Sequence, residues 1–166
     1  MMSTQAVGAH FDIELMQQAQ QRALAVMQQV ASTFQPGLRE SEATLMVRHA
    51  LDQAGASAHW HPAIVRFGKN TTKIYSEASE PDLVLQLNDV FFIDIGPVFE
   101  QHEADVGATY AVGQDPEHQQ LIAAVDEVFE VVAHAWRTTG ASGPTLYQIA
   151  ESTASALGYQ LNHQIK

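Results

Sequence analysis

The feature that most constrains this chain is a pair of aspartates, Asp94 and Asp105, eleven positions apart in a largely apolar segment from Val90 to Gly113. The segment divides into two runs that are typical of the strands of one hairpin. If the hairpin turns at Phe99 and Glu100, the numbers of paired residues add to 199 and the two aspartates lie opposite each other on one face. Their Cβ atoms would then be about 4.5 to 5.5 Å apart.

Two carboxylates this close in a buried sheet repel each other and lose hydration. Proteins tolerate such a pair when one group is protonated or when cations lie between the two. The simpler alternative is that Asp94 caps a turn at a strand end and that Asp105 is a solvated residue. Because Asp94 is flanked by Phe92, Ile93 and Ile95, and acidic residues are depleted in buried strands, the sequence favours a metal site.

Composition limits the other classes of function. The 166 residues suit one domain, spanning 1–166, and the net charge of −11 argues against nucleic acid and membrane surfaces as partners. The chain has no cysteine, so oxygen and imidazole must supply any metal ligands. Neither a signal peptide nor a membrane span is apparent, and a cytoplasmic protein is therefore expected.

The hydrophobic periodicity predicts an α+β fold with a repeated unit. An amphipathic helix ends before Gln35-Pro36-Gly37, a second helix ends at Gly55, and residues 59–67 form a strand. After the aspartate hairpin, Asp115 and Pro116 begin another long helix. The order of helix, break, shorter helix, glycine and strand then returns at an offset of 103 residues, which matches Gly37 to Gly140 and Gly55 to Gly158. Smaller expectations are a short strand at residues 83–87, a capping box of Thr145 with Gln148, and apolar contacts of the second helix through Leu45, Val47, Leu51 and Ala54.

At the aspartate hairpin the chain resembles the pita-bread metallopeptidases, the family of methionine aminopeptidase, aminopeptidase P, prolidase and creatinase. The resemblance rests on an Asp-Ile-Gly strand at residues 94–96, the eleven-residue step to Asp105, Thr109 followed by Gly113, and the Pro-Gly break at residues 36–37. The internal duplication is also similar to that family. The resemblance implies an incomplete pita-bread fold, because the His and two Glu that complete the family's ligand set are expected after Lys166.

The resemblance further implies a hydrolase with two divalent metal ions, in which Asp94 and Asp105 are ligands and a metal-activated water attacks an N-terminal or X-Pro peptide bond. Oxygen-rich ligation favours manganese or iron, with manganese ranked first and cobalt and zinc as alternatives. The expected partner is a small peptide substrate, and a homodimer is left open. No catalytic or substrate-binding residue is assigned, and little activity is expected of this chain alone.

Two departures from the family concern the surroundings of the metal site. The family usually has Thr or Ser, followed by a basic residue, where this chain has Gly107 and Ala108. A substrate-contacting His is expected near Tyr75 or Ser76, and neither side chain replaces an imidazole as a proton donor near neutral pH. A non-catalytic pita-bread module that binds peptides or proteins is therefore the competing hypothesis. A metal-free amidinohydrolase similar to creatinase is a third.

The remaining histidines are weaker candidates. His59 and His61 would share one strand face, which could suit a metal, although such pairs are more often surface residues. His102 and Glu103 are expected to be exposed beside the turn. His163 lies early in an unfinished strand of the repeat, which disfavours it as the missing imidazole ligand.

Overall fold

The computed structural model describes residues 9–79 and 81–162. Along the chain two helices come first, the strands follow, and two further helices come last. In chain order they are α1 (Ile13–Ala31), α2 (Glu40–Gln53), β1 (Ala58–Phe67), β2 (Asp89–Phe99), β3 (His102–Glu103), β4 (Val106–Val112), α3 (Pro116–Thr139) and α4 (Gly143–Ala156). A 3-10 turn, Gly68–Thr72, follows β1.

Strand β2 is the centre of the antiparallel sheet that these residues form. It pairs with β1 along one edge and with β3 and then β4 along the other. Alternate β2 side chains point to opposite faces of the sheet. One face, with Phe91, Ile93, Ile95 and Phe99, is buried against the core that α1 and α2 cover. The other face carries Asp94.

The core confirms the predicted apolar face of α1. Ala19, Ala23, Met27 and Val30 are buried there. The predicted apolar face of α2 is partly wrong. Leu45 is 55% exposed, whereas Ala43, Val47 and Leu51 are buried. The predicted strand at residues 83–87 reduces to one bridge between Val84 and Arg39, since this segment pairs with the loop before α2 and not with the sheet.

The helix boundaries agree with the predicted repeat. Both long helices begin after an aspartate N-cap, Asp12 or Asp115, whose side chain accepts the N–H two residues later. The shorter helices, α2 and α4, have identical lengths at the offset of 103. Both glycines that follow these helices have positive φ, 88° at Gly55 and 85° at Gly158, which an L side chain adopts at a cost.

In the second copy of the repeat, which contains α3 and α4, the start of α4 differs from the prediction and the predicted strand is not observed within the described residues. The N-cap of α4 is Ser142, and Thr145, predicted to open a capping box, lies within the first turn, where its hydroxyl is 3.1 Å from the Ser142 hydroxyl. Residues 157–162 contain no strand, and the rest of the predicted strand lies outside the described residues. The apolar face of α3 is also more open than that of α1, with Phe129 65% and Trp136 61% exposed.

A buried carboxylate joins α2 to the end of β1. Glu40 is 2% exposed, and its Oε1 accepts the Phe67 N–H at 2.6 Å while its Oε2 accepts the Asn70 amide at 2.8 Å. The Asn70 amide also donates to the Pro81 carbonyl. Because Phe67 and Asn70 are themselves fully buried, no water can replace these bonds.

We expect Glu40→Ala to lower the free energy of unfolding by about 2–4 kcal/mol, because it leaves two buried donors unpaired. The control is Glu127→Ala on the exposed surface of α3, which should change stability by no more than about 0.5 kcal/mol. Urea unfolding followed by circular dichroism compares the two. Equal losses in both variants would contradict a structural role for the Glu40 bonds.

Candidate metal centre

The hairpin that carries the two aspartates turns one residue later than predicted. Phe99 pairs with His102, so Glu100 and Gln101 form the turn, with φ values of 47° and 63°. Positive φ at both central residues is the requirement of a tight hairpin turn that matches strand twist. The predicted pairing of Asp94 with Asp105 is therefore wrong, and Asp94 pairs with Gly107.

The two aspartates nevertheless share one face of the sheet. The register moves the partner of Asp94 by two positions, and a shift of two keeps every side chain on its face. Asp105 precedes β4 and lies diagonally across from Asp94, within reach for carboxylate groups. Ligand oxygens of the two residues lie within 4.8 Å of each other. The predicted convergence is thus present, and the role of these residues as metal ligands stays a prediction.

The face that carries the pair is more open than the apolar sequence around Asp94 indicates. The Asp94 side chain is 40% exposed and that of Asp105 is 65% exposed. Gly107 lies directly across from Asp94 and presents no side chain to cover it. Partial burial raises the pKa of the Asp94 carboxyl above its ordinary value, the nearby His61 opposes that rise, and Asp105 adds to it.

His61 completes the cluster. Its Nε2 lies 3.7 Å from Asp94 Oδ1 and 3.8 Å from Asp105 Oδ1, and its side chain is only 9% exposed. The register of β1 against β2 shifts on both sides of His61. Pro62 lacks the N–H that a regular ladder needs, which accounts for an irregularity at this point.

The irregular pairing also separates the two histidines that the sequence placed on one face. His59 contacts Asp52, at 3.2 Å between Nε2 and Oδ1, and lies outside the cluster. Strict alternation was therefore the wrong rule for this strand. The signal that could have distinguished His61 was Pro62 directly after it, since proline within a strand indicates an edge or a bulge.

The other predicted positions fall elsewhere. His102 is buried, not exposed: its Nε2 accepts the Asp12 N–H at 2.9 Å and its Nδ1 lies 2.6 Å from the Glu100 carbonyl, so it ties the start of α1 to the hairpin turn. Glu103 is exposed as predicted. His163 lies outside the described residues.

The position expected for a substrate-contacting histidine lies at a cleft beside β1. Tyr75 is 65% exposed and Ser76 is also exposed. Tyr75 lines a cleft together with Pro62, Ile64 and Arg66. Ile64 is the β1 partner of Asp94, and Thr44 of α2 also lines the cleft, whereas His61, Asp94 and Asp105 do not.

The three groups fit a divalent cation by their chemistry. Two carboxylates and one imidazole are the oxygen and nitrogen donors that first-row divalent metals use in hydrolases. Their ligand atoms all lie within 4.8 Å of one another. The exposure of both carboxylates leaves one side of such an ion open to water and to a substrate.

Comparison with known proteins agrees with this reading of the fold. The profile of metallopeptidase family M24 matches residues 14–165, and the chain belongs to that family. The comparison with curated protein sequences gave no match. Within the part of the chain that the structure describes, no helix has the length and apolar character needed to cross a membrane.

Solved structures share the pita-bread fold of these peptidases. The chain is similar to the X-Pro aminopeptidase of Thermotoga maritima, with a TM-score of 0.76 and 23% identity over 92% of this chain and 43% of that one. It is also similar to the aminopeptidase PepP of Pseudomonas aeruginosa, with a TM-score of 0.71 and 18% identity over 88% of this chain and 34% of that one. A third is proline aminopeptidase P II of Yersinia pestis, with a TM-score of 0.62 and 17% identity over 90% and 39% of the two chains. The chain therefore spans less than half the length of these structures.

The raised pKa of Asp94 predicts a pH-dependent effect of Asp94→Asn in the metal-free chain. The folded chain holds the protonated Asp94 carboxyl more favourably than the unfolded chain does. This contribution to the free energy of unfolding is fully present below the pKa of Asp94 in the unfolded chain, and it is lost as the pH rises through the pKa in the folded chain. At neutral pH the variant should therefore be more stable than the wild type, by up to about 1 kcal/mol after allowance for solvent screening.

The difference should shrink as the pH falls below the ordinary pKa of aspartate. Urea unfolding in the presence of a chelator, measured from neutral to acidic pH, gives the profile. Asp126→Asn, at an exposed site on α3, should show no such trend. A variant at Asp94 that is less stable than wild type at neutral pH would contradict the prediction.

Proposed function

We propose that this chain is the metal-binding part of a metal-dependent peptidase that cleaves N-terminal peptide bonds, with X-Pro peptides as the substrate class. Asp94 and Asp105 are the proposed ligands of two divalent ions, manganese first. The observation that carries the proposal is the convergence of both carboxylates, with His61, on one open face of the sheet. Membership of a metallopeptidase family supports it.

The chemistry that bound metal ions supply is a hydroxide at neutral pH and positive charge beside the carbonyl oxygen under attack. The chain's own contribution is to hold the ions and to leave access to them. Asp94 is fixed by strand pairing on both sides, to Ile64 and to Gly107. Because Gly107 has no side chain, a peptide can approach the Asp94 carboxylate over β4.

The cleft lined by Pro62, Ile64, Arg66 and Tyr75 is the proposed place for the peptide chain. Arg66 is 3% exposed and its guanidinium donates to the carbonyls of Lys73, Ile74 and Glu77, so it shapes the cleft and does not reach into solvent. The exposed Tyr75 hydroxyl can donate a hydrogen bond to a substrate carbonyl. We further propose that residues 1–166 act as one domain of a cytoplasmic enzyme, and we leave a homodimer open.

The competing proposal is a non-catalytic module that binds peptides or proteins through the same cleft. It is favoured by Tyr75 in place of the imidazole that the family resemblance leads one to expect. Such a module would bind an X-Pro peptide without hydrolysing it, with or without metal.

The test measures Mn²⁺ binding by calorimetry and hydrolysis of X-Pro dipeptides and tripeptides. The 166-residue chain should bind Mn²⁺ weakly and hydrolyse little, because too few ligands fix a pair of ions. A version extended through the His and two Glu that the resemblance places after Lys166 should hydrolyse the peptides. In that version Asp94→Asn or Asp105→Asn should reduce activity by at least about 100-fold, since several kcal/mol of metal assistance are lost.

Asp126→Asn, on the exposed side of α3, is the matched control and should retain activity. Binding of the peptide by the extended version without hydrolysis, at saturating Mn²⁺, would support the binding module. Activity that survives both aspartate substitutions would exclude the proposed ligands.

A further inference from the structure

We propose that His61 is a third protein ligand of this centre and binds the cation through Nε2 beside Asp94 and Asp105. The inference deepens the proposed function and rests on it, because it concerns the same metal site. It adds an imidazole that comes from strand β1, before the two aspartates in the chain.

A backbone carbonyl orients the imidazole ring of His61. His61 Nδ1 lies 2.8 Å from the Pro62 carbonyl oxygen, and a carbonyl can only accept a hydrogen bond. Nδ1 therefore carries a proton, and in the neutral ring Nε2 presents its lone pair. A metal-binding histidine is commonly oriented in this way, through a bond from its other nitrogen to a backbone carbonyl.

Nε2 lies near both carboxylates, 3.7 Å from one oxygen of Asp94 and 3.8 Å from one oxygen of Asp105. Both distances exceed a hydrogen bond. Metals bind such nitrogen and oxygen atoms at about 2.0–2.2 Å, so one ion can contact two ligand atoms that are up to about 4.4 Å apart. The His61 distances suit a shared cation.

The neighbouring residues make room for the His61 ring and hold it in place. A Cβ at position 96 would lie 2.5 Å from His61 Cδ2, so only glycine there allows the ring to lie against β2. Trp60 packs edge-on against the ring at 4.5 Å and donates from Nε1 to the Ala104 carbonyl, one residue before Asp105. The site of His61 is thus tied directly to the segment that carries the second aspartate.

An added nitrogen ligand changes which metals the centre prefers. Imidazole suits zinc, copper, iron and nickel, whereas carboxylate oxygen suits manganese and magnesium. We therefore expect the removal of His61 to weaken Zn²⁺ binding more than Mn²⁺ binding. A residue that only shapes the site would affect both ions alike.

The test titrates the 166-residue chain with Zn²⁺ and with Mn²⁺ by calorimetry. His61→Phe keeps an aromatic ring beside Trp60, and His61→Ala removes the ring, so a packing defect in one variant does not decide the result. Both should lose at least about tenfold in Zn²⁺ affinity. His59→Ala is the matched control on the same strand and should bind as the wild type does, because His59 faces Asp52.

A spectroscopic measurement separates ligation from positioning. In the Co²⁺-loaded wild type, the Nδ1 proton of a coordinated imidazole should give a strongly shifted, exchangeable proton resonance that both His61 variants lack. Wild-type affinity in the His61 variants, or no such resonance in the wild type, would overturn the inference. If Asp94→Asn still abolishes binding in that case, the proposed metal site stands without His61. A wild-type chain that binds neither ion would overturn the metal site itself.

Discussion

The central constraint in this structure is the repulsion between two carboxylates that the sheet holds close together beside an imidazole. Burial and the Asp105 carboxylate both raise the pKa of Asp94, whereas His61 acts in the opposite direction. The His61 ring is confined by Trp60 and Gly96, with its Nε2 3.7 Å from Asp94 Oδ1 and 3.8 Å from Asp105 Oδ1. A metal cation between the carboxylates would turn their repulsion into attraction, and the neutral His61 ring can bind the same ion.

The rest of the fold supplies the rigidity that keeps these groups close. The core-facing side chains of β2, among them Ile93 and Ile95, neighbour Asp94 in sequence and are fully buried beneath α1 and α2. The end of β1 is fixed by the buried Glu40, which accepts the Phe67 N–H. Stability is thus concentrated on one face of the sheet. The opposite face can therefore hold polar groups that cost some folding free energy. Functional sites commonly have this arrangement, because a rigid scaffold offsets the cost.

The sequence predicted the features that depend on local chemistry. The N-cap Asp115 and the helix-ending glycines Gly55 and Gly158 define helices that begin or end where periodicity indicates. The convergence of the two aspartates was predictable for a related reason. Strand faces alternate with a period of two, so an error of two in register did not move Asp105 off the face of Asp94.

Features that depend on tertiary contacts were not predictable in the same way. The turn position required knowing that Glu100 and Gln101 adopt positive φ, which their residue types do not favour. His102 is buried because α1 begins against the hairpin, and that contact joins residues 90 positions apart. His61 enters the cluster through an irregularity in β1 that strict alternation ignores.

The most direct test of a metal centre on this face is a crystal structure of the chain grown with Mn²⁺, with anomalous diffraction data collected near the manganese absorption edge. We expect an anomalous peak within coordination distance of carboxylate oxygens from both Asp94 and Asp105, and this peak should vanish in crystals of Asp105→Asn. A peak only at another acidic group, such as Asp52 beside His59, or no peak at saturating Mn²⁺, would contradict a metal centre on this face.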